Sequence, residues 1–280
     1  MSLSLELRRR VSREVRTSSL SAAAALAPPV LVIHFFTGSA SERRFQFVRT
    51  LLGRPPVFPP GLRHQYSNAG YSVAAAMAER VMARSWESLI DGELLRPMGI
   101  RAVFGFPAEG GPGQPSGHVK RGPEVRRHDR RGEAGLPTLL APAGALSMTI
   151  DEYGAFLRTH LNGLAGRDGV LKASTIRALH TPVPPLPDSD TLAASALGWG
   201  TRMTEWGRAA SHAGSAGTFL CQAQLLAEQD LGFMVCTNVG GDGVLQSAQA
   251  ILQSLRLRYA RATYDASARY VEVRLTKEGW

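Results

Sequence analysis

Lysine is nearly absent from this chain of 280 residues: Lys120, Lys172 and Lys277 are the only three, and arginine supplies the rest of a formal charge of +9. A basic excess of this size points toward polyanions. The densest run, residues 121–131, nevertheless mixes Arg126, Arg127 and Arg130 with Glu124 and Asp129 and holds no Phe, Tyr or Trp. A stacking platform for single strands is thereby excluded, and the run reads as a solvated basic loop. Cysteine is scarcer still. Cys221 and Cys236 are too few for a disulfide scaffold and lack the spacing of a metal site. No apolar run reaches transmembrane length. A hydrophobic content of 44% is enough to bury a sizeable core in one large domain or two small lobes.

Residues 1–45 differ from the rest. Arg8, Arg9, Arg10, Arg13 and Arg16 precede an apolar stretch, 20–36, that Pro28 and Pro29 interrupt. A charged start with an apolar middle suits an export signal, and Leu3, Leu7 and Val11 at spacings of four suit an amphipathic helix. The chain is therefore expected to be periplasmic or secreted if residues 1–36 direct export, and cytoplasmic otherwise.

From residue 46 the pattern regularises into a domain expected over 46–262, followed by a tail, 263–280. Residues 46–195 read as a helix-rich lobe. Helices are predicted at 45–52, at 71–81 with Val73, Met77 and Val81 aligned, and at 86–95 with Trp86, Leu89, Ile90 and Leu94 on one face. Residues 55–60 form a stiff proline-rich connector. Residues 105–140, rich in Gly, Pro and Arg, read as irregular. Thr149 with Glu152 is a capping box opening a helix whose buried face holds Tyr153, Phe156, Leu157 and Leu161. A further helix is predicted at 174–180.

In 196–262 the period changes to two. Strands at 196–203, 208–212, 219–226 and 231–238 form an antiparallel meander. A covering helix follows at 244–257, with Leu245, Ala248, Ile251, Leu252 and Leu255 inward. The tail alternates at Val271, Val273 and Leu275, as an edge strand would. The fold class is α+β. The short turn Ala227–Asp230 sets the register of the last hairpin: if Leu226 opposes Leu231, Cys221 opposes Cys236 on the same face. Two small thiols in a strand pair and a disulfide both fit that position.

Three short patches carry chemistry. Tyr66-Ser67-Asn68 places a phenol, a hydroxyl and a carboxamide at a helix N-terminus, where backbone N–H groups lack partners. Such a corner serves equally as a rigid site or as a capped helix start. Pro142-Ala143-Gly144 follows, and then His212-Ala213-Gly214-Ser215-Ala216-Gly217-Thr218. In this order, with Phe58-Pro59-Pro60-Gly61, Pro97-Met98-Gly99-Ile100, Ala196-Leu197-Gly198-Trp199-Gly200 and Thr237-Asn238 around them, the chain resembles the serine β-lactamase and penicillin-binding-protein-like superfamily. Its class C-like branch, with D-alanyl-D-alanine carboxypeptidases and esterases, is the nearest in pattern. Residues 31–39 resemble in degraded form a further segment of that family. The resemblance covers about 45–260.

It implies a β-lactamase-like fold, an antiparallel sheet flanked by helices beside a helical lobe, and no cofactor or metal. Tyr66 would be the general base and Asn68 would hold the substrate amide. His212 would stand where many relatives carry lysine and would help polarise the tyrosine or bind a substrate carboxylate, on the strand at the sheet's edge. Histidine titrates near neutrality, so such help would fade as pH rises. Gly214 would let substrate approach, and the Ser215 N–H would be an oxyanion donor.

One motif of the resemblance is missing. The nucleophile of that family is the serine of Ser-x-x-Lys, with the lysine one helical turn on. Three residues before Lys120, Lys172 and Lys277 stand Gly117, Gly169 and Arg274. The expectation is an N-terminally truncated, frameshifted or degenerate member, with its sheet incomplete on the N-terminal side and prone to self-association. Three functions are in play: acyl-enzyme hydrolysis of a β-lactam, a D-Ala-D-Ala peptide or a small ester; non-catalytic binding of a small molecule or cell-wall peptide; and electrostatic binding of nucleic acid or membrane. No specific nucleic acid is expected.

Overall fold

The structure is a computed structural model and describes residues 36–56, 59, 66–128, 138–183 and 193–261. The expected export signal and N-terminal amphipathic helix, half of the proline connector and the expected tail strand lie outside these residues. Helix α1, Ala40–Leu52, starts at a capping box between Ser39 and Glu42. Helix α2, Asn68–Met82, is capped by Ser67, whose hydroxyl accepts from the Gly70 N–H. The two pack through Phe47, Val48, Leu51, Ala69, Val73 and Ala76. Val81, aligned with Val73 by period, faces solvent instead.

An unpredicted polar centre locks this lobe. Arg44 is fully buried on α1 and forks onto Glu79 of α2, at 2.9 and 3.2 Å, while also reaching Glu87 at 2.9 Å and the Thr138 carbonyl at 3.1 Å. Glu79 further accepts from Ser41 and from the Trp86 N–H. Burial alone would raise the Glu79 pKa, but the bonds from Arg44, Trp86 and Ser41 outweigh it and hold the carboxyl below its ordinary value.

Helix α3, Trp86–Ile90, runs directly into one π-helical turn, Asp91–Leu95. The wider turn inserts about one residue into the helical count. Leu95 is therefore buried where the 3.6-residue period had placed Leu94. Helix α4, Ile150–Leu164, opens on the expected Thr149–Glu152 box, and α5, Ala173–His180, packs against it.

The stretch 105–140 corrects the sequence expectation. It contains a hairpin, His118–Arg121 with Glu124–Arg127, turning at Gly122-Pro123. The first of these strands pairs in parallel with Val239–Gly241. That partner is more than a hundred residues away, so local pattern could not reveal it. The basic run is thus largely a strand pair, and Arg126 is bonded to Glu124.

Five antiparallel strands make the main sheet, numbered here β1 (Ala193–Ser195), β2 (Gly200–Thr204), β3 (Gly207–Ser215), β4 (Leu220–Leu226) and β5 (Leu231–Thr237), adjacent in that order. Of the predicted first strand at 196–203, residues 196–199 form the bend between β1 and β2, and only 200–203 are strand, in β2. Helix α4 covers one face over Trp199, Ala210, Ala223 and Leu225. Helix α6, Val244–Tyr259, lies on the other, over Trp206, Ala209, Leu226 and Phe233. Its seam is Ala248, Leu252 and Arg256, with Leu255 beside it, whereas Leu245 and Ile251 are exposed. The α+β class stands. Among the described residues β5 has a strand partner on one side only. No helix there is long and apolar enough to cross a membrane.

Candidate functional site

The alternation of β3 decides which side chains meet. His212 and Gly214 share the α4 face of the sheet with Ala210, opposite Ala223 and Cys221 of β4. Strand β3 is the middle strand of five rather than the edge strand the resemblance implied. Yet β2 stops at Gly200, which pairs with Ser211. Beyond that point, among the described residues, 212–215 pair as strand with β4 alone, and every residue from 211 to 217 is exposed. The centre of the sheet therefore carries a local open edge. Among the described residues, the position a Cβ would occupy on Gly214 has only the His212 Nε2, at 4.0 Å, near it, so they leave the strand surface there bare.

His212 is fixed from behind. Its Nδ1 lies 3.1 Å from the Gly198 carbonyl, which can only accept, so Nδ1 carries the proton and Nε2 presents a lone pair over Gly214 in the neutral ring. Gly198 adopts φ +86, left-handed backbone open to glycine, and this turns its carbonyl toward the histidine. Trp199 packs 6.0 Å from the His212 ring. Beneath it His160 and His180 are buried, with His160 Nδ1 and His180 Nε2 2.9 Å apart. Burial pushes both pKa values down to about 4.

The Tyr66 corner is a capped helix start and more. Ser67 supplies the cap, while Tyr66, 72% exposed, donates its hydroxyl to Asn68 Oδ1 at 2.8 Å. Helix α2 is held in place by the Pro142 segment: the buried Ser72 hydroxyl donates to the Leu139 carbonyl at 2.7 Å, at the start of the short 3-10 turn Thr138–Ala143. The turn Thr138–Ala143, which carries Pro142, thus supports the α2 helix. Tyr71, one turn along α2, bridges to the sheet. Its hydroxyl lies 3.8 Å from where a Cβ on Gly198 would stand, and its phenol pKa is raised, first by burial and then by the nearby charge of Tyr66. Tyr71 and His212 therefore meet at Gly198, with Tyr66 near enough to Tyr71 to raise its pKa.

Ser215 closes the strand. Its hydroxyl donates to the Phe219 carbonyl at 2.8 Å and accepts from the Gly217 N–H at 3.1 Å. Both nearby serine hydroxyls, on Ser67 and Ser215, are thus committed to backbone. Tyr71 and Gly198 were not singled out from sequence, although the Gly198-Trp199-Gly200 run marked their neighbourhood. Among the described residues no group of His, Cys, Asp or Glu is arranged to hold a metal ion.

The sequence profile of the family described as Beta-lactamase matches residues 18–256. Among curated proteins there is no match. Of solved structures, that of SurE is similar at 28% identity with a TM-score of 0.65, covering 85% of this chain and 53% of SurE. SurE with D-Leu gives 26% identity and a TM-score of 0.60, covering 85% and 52%. A class C β-lactamase shares the fold at 16% identity and a TM-score of 0.63, covering 88% and 74%. The chain spans about half the length of SurE. With a family match over most of its length and a sheet-and-helix architecture common to these proteins, the chain belongs to the β-lactamase family, in the serine β-lactamase and penicillin-binding-protein-like superfamily.

Proposed function

We propose that this chain is a serine-hydrolase homologue that binds acylated D-amino acids or related cell-wall peptides at the patch formed by Tyr66, Asn68, His212 and Gly214, without itself forming an acyl-enzyme. The observation that carries this reading is the local edge at 212–215. An extended ligand can add its backbone to those exposed residues, pass over the bare surface of Gly214, and reach the Asn68 carboxamide and the His212 Nε2 with its polar groups. The presence of D-Leu in a SurE structure suggests the stereochemistry. The absence of Ser-x-x-Lys, with Ser67 and Ser215 both bound to backbone, supports binding without covalent capture.

Calorimetry with an Nα-acetyl-D-leucyl-D-alanine probe, together with labelling by a fluorescent penicillin, tests this. Reversible binding that His212→Ala weakens at least ~10-fold, a loss of about 1.4 kcal/mol, with no covalent label on any serine, is expected. A penicillin adduct on a serine would show an acyl-enzyme, and binding unchanged in the His212 variant would remove the site.

A further inference from the structure

We propose that Cys221 and Cys236 form a peroxide-responsive thiol pair, a modification site beside the Tyr66–His212 patch. The two residues are direct cross-strand partners between β4 and β5. Such partners have Cα atoms about 4.5–5.5 Å apart, the span a disulfide requires. Their sulfurs are 2.6 Å apart and both cysteines are free. The pair lies on the α4 face of the sheet, and Cys221 is also the register partner of Gly214.

The two thiols are not equivalent. Cys236 is exposed and Cys221 is partly buried. The shared hydrogen bond is the leading cause of both shifts: it lowers the Cys236 pKa and, together with burial, raises that of Cys221. Exposure and the shared bond both favour Cys236 as the sulfur that ionises first and meets solvent. Tyr153 of α4 sits within the field of both sulfurs. Burial first, and the two cysteines after it, hold its phenol protonated.

The oxidant is a hydroperoxide. The Cys236 thiolate attacks the terminal peroxide oxygen; an S–O bond forms, the O–O bond breaks, and the leaving alkoxide or hydroxide takes a proton to leave as alcohol or water. Cys221 then attacks the sulfenic sulfur. The S–S bond forms, the S–O bond breaks, and water leaves with the Cys221 proton. Two thiols and one peroxide give one disulfide, one alcohol or water, and one water. The product staples β5 to β4 where β5 has no second strand partner among the described residues.

The test uses the full chain, purified reduced and then exposed to an equimolar dose of hydrogen peroxide. Titratable thiols should fall from two to none, the intact mass should drop by two hydrogens, and digestion should release one cross-linked peptide containing both cysteines. Iodoacetamide should label Cys236 about 10-fold faster than Cys221 before oxidation. In Cys221→Ser, dimedone should trap a sulfenic acid on Cys236, and in Cys236→Ser no adduct should form on Cys221. Two thiols surviving the peroxide, inter-chain disulfides in place of the internal one, or a faster Cys221 would overturn the proposal. The peptide map of the unaltered chain decides even if the variants fold poorly.

Discussion

His160 Nδ1 and His180 Nε2 face each other at 2.9 Å, and this contact joins α4 to α5 beneath Trp199. One proton suffices for that bond, so both rings are held neutral, with folded pKa values of about 4 against an ordinary 6.5. The unfolded chain therefore binds more protons between these limits, and stability must fall as pH drops from about 6.5 to about 4. The loss is on the order of 3 kcal/mol for each ring that is forced to charge. Urea denaturation at pH 7, 5.5 and 4 should show the midpoint falling across this window. In His160→Gln the slope should flatten; an unchanged slope would mean other groups set the acid limit.

Arg44 should be the most sensitive polar position of the helical lobe. Replacing it with methionine leaves Glu79 buried without its partner, and breaking a buried pair from one side costs about 3–5 kcal/mol. The Arg44→Met/Glu79→Gln double variant should recover part of this, measured by urea midpoints at pH 7. Because the Glu79 pKa is lowered on folding, its share of stability exists above the ordinary carboxylate pKa and is lost as pH falls below it. That window lies under the histidine one, and the two variants separate them.

Tyr66 and Ser67 should separate binding from stability. Ser67→Ala removes the α2 cap and should cost about 1 kcal/mol in thermal melting. Tyr66→Phe, at an exposed position, should shift stability by no more than about 0.5 kcal/mol. It frees the Asn68 carboxamide and should weaken the acyl-dipeptide ~10-fold by calorimetry, a loss of about 1.4 kcal/mol.

Gly240 lies where two backbones touch: a Cβ there would overlap the Gly217 carbonyl. Gly240→Ala should destabilise the chain by about 1–3 kcal/mol. It should also displace the Ser215–Phe219 turn, read as faster amide exchange at Gly217.

The sequence by itself determined what depends on neighbours along the chain. The Thr149–Glu152 capping box, the α4 face with Leu157 and Leu161, and the pairing of Cys221 with Cys236 all follow from spacings and one short turn. The ordered patches at Tyr66, Pro142 and His212 were likewise sufficient for the family. Only the tertiary structure decided the rest. It buried Arg44 between Glu79 and Glu87, joined His160 to His180, paired 118–121 with 239–241, and ended β2 opposite Ser211 so that 212–215 became an open edge. Each of these is set by where a distant segment stops or packs. Periodicity records which side of an element is apolar and cannot record which partner meets it.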